Sequence, residues 1–161
     1  MWPLAVNIRP MAAADLARIL EIAGSLPEAP NWPRPLYAMA TDPAATPPRI
    51  ALVAEESTAS PSLGVMRILG FAIVRVLPPE AELETIAVTS AAQRKGIGVG
   101  LLSALLADLR LRQVRSVLLE VRASNFKARS FYRVLGFRDY ARRPRYYSGP
   151  EEDAMLMKLD L

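Results

Sequence analysis

Gln93-Arg94-Lys95-Gly96-Ile97-Gly98 is the stretch of this sequence with the most chemical content. It sits between a strand-like run, Leu83 to Val88, and a helix-like run, Leu101 to Leu106. A strand, a basic glycine-rich turn and a helix start together make a site for an anionic, phosphate-bearing ligand. The first helical turn carries unpaired N–H groups and the positive end of the helix dipole. Gly96 and Gly98 let the backbone approach phosphate oxygens and accept positive φ. Arg94 and Lys95 add mobile positive charge.

Two familiar phosphate motifs do not fit. A P-loop needs Lys-Ser or Lys-Thr after its last glycine, and here Lys95 precedes Gly96. A dinucleotide fingerprint needs a third glycine where Leu101 stands. Glu120 does lie about 20 residues further on, where a ribose-binding acid would sit. But the turn comes late in the chain, after a run of hairpin strands. A glycine turn with no ligand is the plainer alternative. The clustering of two cations and two glycines at one helix start argues against it.

Proton transfer has few candidates. The sequence has no cysteine and no histidine, which excludes disulfides, a Cys nucleophile, a His base and the usual zinc sites. Glu, Asp, Tyr, Lys, a terminal amine or water must serve. The net charge of +4 suits an anionic cofactor or work near ribosomal RNA without establishing either. Met1 to Arg9 lacks the basic start and long apolar core of a signal peptide. No run reaches transmembrane length, so the cytoplasm is the expected compartment.

Several elements must position these groups. Ala5 to Arg9 alternates like a strand, and Leu16, Ile19, Leu20 and Ala23 recur at helical spacing. Pro27 to Pro48 is proline-rich, with a short helix expected near Leu36–Thr41. Ile50 to Glu55 reads as a strand and Ser57 to Leu63 as a polar turn. Val65 to Leu77 reads as a long strand broken near Gly70, and Glu82 to Thr89 as the next strand. Leu101 to Leu111 is an apolar helix and Val117 to Val121 a strand. Asn125 to Leu135 is a helix with Gly136 as its C′ residue. Phe137 to Tyr140 and Ala154 to Leu159 close the chain as strands. Hairpin-linked strands followed by strands alternating with helices predict an α/β fold with a mixed sheet.

At this point the residues resemble a family. Gln93-x-x-Gly96-x-Gly98 is similar to the acetyl-CoA motif of the GNAT superfamily of N-acetyltransferases. The flanking pieces extend the likeness. They are Ile86-Ala87-Val88, Leu119 to Asn125, Phe131 to Phe137, Tyr146-Tyr147 and Glu152 to Met157. The set resembles the RimI-type ribosomal-protein-alanine N-acetyltransferases of bacteria. The likeness runs from Glu82 to Leu159; the first half matches in outline. It implies one GNAT domain over residues 1–161, with a mixed sheet of six to seven strands and about four helices.

The resemblance also implies roles. Acetyl-CoA would lie in a cleft where two parallel strands splay apart. Backbone groups of Ile86, Ala87 and Val88 would pair with its pantetheine arm, and the Val88 N–H would polarise the thioester carbonyl. Backbone N–H groups of Arg94, Lys95, Gly96, Ile97, Gly98 and Val99 would hold the pyrophosphate. Asn125 would touch the cofactor from the next helix start, a role compatible with plain N-capping. No metal is implied. Glu120 would be the base, with Glu82, on the strand before the turn, as the second candidate. Tyr132 would supply a proton to the departing sulfur. With no cysteine, transfer would be direct, in a ternary complex.

Read without the family, these residues have plainer roles. Glu120 is a strand carboxylate pairing with Arg122, although partial burial among Val117, Leu118, Leu119 and Val121 would tune it for proton transfer. Glu82 is a solvated strand start, and by alternation it shares one strand face with Glu84, Ile86 and Val88. Tyr132 is a helix-face aromatic packing beside Leu135. Trp32, Tyr146 and Tyr147 are either walls of a peptide pocket or ordinary packing under loops.

The acceptor follows from proton chemistry and the resemblance. A free α-amine with a pKa of about 8 is about a tenth neutral at pH 7, whereas lysine, at about 10.4, needs far more help. The expected acceptor is a protein N-terminus, alanine of a small-subunit ribosomal protein. Lysine side chains, small amines, or a catalytically weak acyl-CoA sensor are the alternatives. No membrane contact is expected, and direct nucleic-acid binding is not favoured. Arg138, Arg142, Arg143 and Arg145 form a basic cluster that suits either an acidic partner or plain solvation. Gln113 stands where the family often has a helix-ending glycine. The proline-rich 27–48 segment has no evident counterpart.

Overall fold

Seven strands form one mixed sheet among the residues that the computed structural model describes, 5–57 and 67–161. They are β1 (Val6–Pro10), β2 (Arg49–Glu56), β3 (Arg67–Leu77), β4 (Glu80–Val88), β5 (Ser116–Arg122), β6 (Arg138–Tyr147) and β7 (Glu152–Asp160). Their spatial order is β1-β2-β3-β4-β5-β7-β6. Four α-helices accompany them: α1 (Leu16–Ser25), α2 (Arg34–Met39), α3 (Ile97–Leu111) and α4 (Phe126–Val134). The mixed sheet and the helix number match the sequence expectation. Most of the expected polar turn, from Thr58 to Leu63, and the expected strand start at Val65 lie outside the described residues.

Every neighbouring pair is antiparallel except β4 and β5. That parallel pair is joined by the crossover through α3, as parallel pairs require. It is also short: only Glu80–Ser116, Ala81–Val117 and Glu82–Leu118 face each other. Beyond Glu82 and Leu118 the two strands part, while β4 stays paired with β3 and β5 with β7. The sheet therefore holds a gap flanked by Leu83–Val88 on one side and Leu119–Arg122 on the other.

Each face of the sheet has its own apolar cluster. On one, Ile97, Leu101, Leu102, Leu105 and Leu109 of α3 pack on Val74, Leu83, Val117, Leu119 and Val121. Phe131 and Tyr132 of α4, and Leu135 just past its end, join the same cluster. On the other, Leu16, Ile19 and Ile22 of α1 and Tyr37 of α2 pack on Val53, Phe71, Ile73 and Ala87. This second cluster contains no described residue of β5, β6 or β7. The α1/α2 face is thus covered over β2 to β4 and open beside the gap.

Three sequence expectations needed correction. The third strand is continuous through Gly70; it bulges, with Leu69 the extra residue between Ala54–Gly70 and Glu55–Ile68. The sixth strand does not stop at Tyr140 but runs to Tyr147. It is an exposed edge strand, so it lacks the apolar alternation that betrays a half-buried one. The third correction concerns β4. Glu84 is the extra residue between Ile73–Thr85 and Val74–Leu83, so the alternation breaks there. Leu83, Ile86 and Val88 all pack toward α3 and α4. Glu82 therefore points to the opposite face from Ile86 and Val88, not to the same one.

Candidate active site

The turn before α3 has the conformation its glycines suggest. Gly96 is the N-cap with φ +80°, and Arg94 is also left-handed at φ +62°. The first α3 bond, from the Gly100 N–H to the Gly96 carbonyl, is 3.0 Å. The N–H groups of Ile97, Gly98 and Val99 precede it and have no helical acceptor. Arg94 and Lys95 are exposed beside them. Gly98 lies against α4: a Cβ there would stand 3.3 Å from Phe131 Cζ. The Gln93 side chain ties the turn down. Its Nε2 donates to the Val88 carbonyl at 3.0 Å, and its Oε1 accepts from Lys127 Nζ at 2.8 Å.

The β4 edge of the gap offers backbone groups. The Thr89 N–H donates to the Leu69 carbonyl on the β3 side at 2.8 Å. In extended chain the preceding N–H, that of Val88, points the other way, into the gap. An arm that lies along Ile86, Ala87 and Val88 would find unpaired strand edge there, and its anionic end would reach the α3 turn. Asn125 caps α4, its Oδ1 accepting the Ala128 N–H at 3.1 Å, which leaves its amide group for a second partner.

Glu120 lies two residues past the last parallel pair, opposite in direction to buried Leu119 and Val121. That puts it on the open α1/α2 face. Its side chain is 21% exposed and its partner is Arg143 of β6, 3.0 Å away, rather than Arg122. Glu82 shares that face and is ion-paired with Arg75. Glu84 is held by Arg49 at 2.7 Å. Tyr146 stands close to both Glu82 and Glu120. Its hydrogen bond to the Glu120 carboxylate, with burial and the charges of Glu120 and Glu82, pushes its phenol up.

Tyr147 packs edge-on against Tyr146 with ring centres 5.1 Å apart. Burial and the Glu120 charge push its phenol up to about 12. The Arg122 guanidinium lies 4.5 Å from the Tyr147 ring centre. Arg122 also donates to the Ser148 and Pro150 carbonyls at 3.3 and 3.2 Å, gripping the β6–β7 turn.

Tyr132 is on the other face. Its ring packs between Phe131 and Phe137, with centres 5.3 and 5.6 Å away, and burial pushes its phenol up. The helix end fixes it: Gly136, at φ +97°, lets the Phe137 N–H reach back to the Tyr132 carbonyl at 3.0 Å. Trp32 belongs to a different wall. It lies 5.2 Å from Tyr37 and lines a cavity of about 350 Å³ with Leu20, Leu26 and Pro30.

The geometry thus gathers Glu120, Glu82, Tyr146 and Tyr147 on one face, Tyr132 on the other, and Asn125 and the α3 turn at one end. Trp32 stands with α1 and α2. The basic cluster of β6 is a set of ion pairs: Arg138 with Asp160, Arg142 with Asp153, Arg143 with Glu120 and Arg145 with Glu151. The Arg143 contact and the Arg122 grip had no local signal, since both depend on how β6 and β7 stack beside β5. Among the described residues no helix is long and apolar enough to cross a membrane.

A splayed parallel pair with a helix N-terminus at its mouth is one face of a family resemblance; the sequence comparison is the other. The pattern of the acetyltransferase (GNAT) family matches residues 16–137, and the chain belongs to that family. Among curated relatives, the [ribosomal protein bS18]-alanine N-acetyltransferase of Escherichia coli K12 is 41% identical over 97 residues. That match spans 59% of this chain and 66% of the relative, just under two thirds of its length. The crystal structure of the E. coli ribosomal-protein-S18-alanine N-acetyltransferase superposes with a TM-score of 0.80 at 30% identity, covering 97% of this chain and 94% of that one. Arabidopsis thaliana NAA60 in complex with acetyl-CoA shares the fold, with a TM-score of 0.84 at 17% identity over 98% and 99% of the two chains.

Proposed function

We propose that the protein is an acetyl-CoA-dependent N-acetyltransferase. Its acceptor is the α-amine of a protein N-terminus, alanine of a small-subunit ribosomal protein of the bS18 kind. Residues 1–161 act as one acetyltransferase domain, in the cytoplasm where such substrates are made. The observation that carries this reading is the gap between β4 and β5, with carboxylates on its open face and a half-buried tyrosine on the other. The names of the relatives at 41% and 30% identity support the acceptor.

In this reading Arg94, Lys95 and the N–H groups of residues 94–99 hold the pyrophosphate, and Asn125 adds a contact from α4. Ile86, Ala87 and Val88 bind the pantetheine arm as an added strand. The Val88 N–H polarises the thioester carbonyl, as a fixed donor does best in a site closed to water. Glu120, directly or through water, takes the proton that the acceptor ammonium must lose; Glu82 is the second choice. The amine nitrogen then forms the new bond to the acetyl carbon as the carbon–sulfur bond breaks. Tyr132, kept protonated by burial, gives its hydrogen to the departing sulfur; the nitrogen loses its second proton to water as the amide forms, and the tyrosinate regains one from water. Transfer is direct, so positioning supplies much of the rate. Tyr146, Tyr147 and Trp32 wall the acceptor site.

The test is CoA-thiol release with three acceptors: an alanine-initiated peptide, a lysine peptide blocked at its N-terminus, and spermidine. The alanine peptide reacts best. Preference for either of the others would overturn the acceptor assignment, and acetyl-CoA binding without any reaction would favour a sensor.

A further inference from the structure

The acceptor wall depends on an irregularity in β6. Arg143 faces Ala154 on β7, and the next paired position is Tyr147 with Glu152. Pro144, Arg145 and Tyr146 are therefore opposed by one residue, Asp153. Pro144 has no N–H to offer the ladder. Arg145 takes φ +53°, a left-handed conformation that a non-glycine side chain adopts only when its surroundings hold it there. What holds it is the Asp153 carboxylate. Its Oδ1 accepts the Arg145 N–H at 2.9 Å, and its Oδ2 accepts from Arg142 Nε at 2.6 Å. The Asp153 carbonyl in turn accepts the Ala123 N–H at 3.0 Å, which anchors the clamp to the residue that follows β5.

The consequence falls on the site. The residues flanking Pro144 and Arg145 are Arg143 and Tyr146: Arg143 pairs with Glu120 at 3.0 Å, its guanidinium lies 5.5 Å from the Tyr146 ring centre, and the Glu120 carboxylate pushes the Tyr146 phenol up. In a regular two-residue-period strand, residues three apart point to opposite faces. The bulge turns them to the same carboxylate. We infer that Asp153 is a positioning residue for acceptor binding: by clamping the left-handed Arg145 it aims Tyr146 and Arg143 at Glu120. This rests on the reading of Glu120 and Tyr146 as parts of the acceptor site.

The experiment compares wild type, Asp153→Ala, Asp153→Asn and Asp153→Ala combined with Arg145→Gly. Acceptor-peptide and acetyl-CoA KM values are measured for each. Asp153→Ala raises the KM for the alanine peptide about tenfold and leaves that for acetyl-CoA within about twofold. Asp153→Asn, which keeps an oxygen for the Arg145 N–H, loses less. Arg145→Gly restores much of the peptide KM, because glycine adopts positive φ unaided. An unchanged peptide KM, an equal rise in both KM values, or no rescue would overturn the proposal.

A second readout needs no turnover. Carbon-13 NMR titration of Tyr146 follows its phenol, which in Asp153→Ala falls back toward the ordinary tyrosine range and in the double variant rises again. An unmoved Tyr146 would overturn the clamp by itself. Wild type that leaves every peptide unacetylated would sink the enzymatic reading, and the titration would still decide the role of Asp153.

Discussion

Glu120 and Tyr132 stand on opposite faces of the sheet, with the gap between β4 and β5 between them. Glu120 points away from the buried Leu119 and Val121, whereas Tyr132 packs into the cluster those two residues help form. In the proposed reaction, a donor lying in the gap would be reached by an acceptor from one side and by a proton donor from the other. The two tasks do not compete for space.

The first prediction removes one hydroxyl. Tyr132→Phe lowers kcat about a hundredfold or more, the range of general acid catalysis, and leaves acetyl-CoA affinity within about twofold. Steady-state kinetics with calorimetric binding checks it. Unchanged turnover would remove Tyr132 as the proton donor.

The second ranks the carboxylates. Glu120→Gln lowers kcat/KM for the alanine peptide more than Glu82→Gln does. The reverse order would move the base to β4, where Arg75 holds Glu82.

The third concerns acid stability. Arg9 forks between Asp15 and Glu55, at 2.8 Å from Asp15 Oδ2 and 3.1 Å from Glu55 Oε1. The Arg9 hydrogen bonds, helped by the Ala12 N–H, hold the Asp15 carboxyl below the usual carboxylate range despite its burial. A depressed folded-state value stabilises above the unfolded value of about 3.9, and that stability is lost as pH falls through the folded one. Urea melts of Asp15→Asn from pH 7 to pH 3 then show a weaker fall of stability with acid than wild type does. Equal slopes would contradict the linkage.

These outcomes bear on what the chain discloses unaided. The turn was legible because cations, glycines and a following apolar helix are local signals. Glu120 and Glu82 stood out as carboxylates on strands, and the sheet places both on one face. The β4 bulge was not legible: a strand that alternates on both sides of Glu84 looks unbroken, and only its register with β3 reveals the extra residue. Arg143 was hidden for a similar reason. It looked like one of several solvated arginines until β6, lying beyond β7, brought it to Glu120. Contacts that depend on strand order leave no mark in local spacing.

A fourth prediction tests a local misfit. Gln113 is the C′ residue of α3 at φ +61°, with its N–H on the Arg110 carbonyl at 3.2 Å and the Val114 N–H on Leu109 at 3.1 Å. That is the Schellman ending, which glycine suits best. Gln113→Gly stabilises the fold by about 0.5–1 kcal/mol, the left-handed cost relieved less the added chain entropy. Thermal melts read it as a rise of about 1–4 °C. A lower Tm would mean that the glutamine side chain contributes more than its backbone costs.

The exposed β6 has one more consequence. It is the outer strand of the sheet, ten residues long, and a strand in that place invites another chain to pair with it. Here the two bulges, Pro144 and four arginines interrupt any straight ladder of free N–H and carbonyl groups. The kinks that shape the wall beside Glu120 also deny a neighbouring molecule a continuous edge to zip onto.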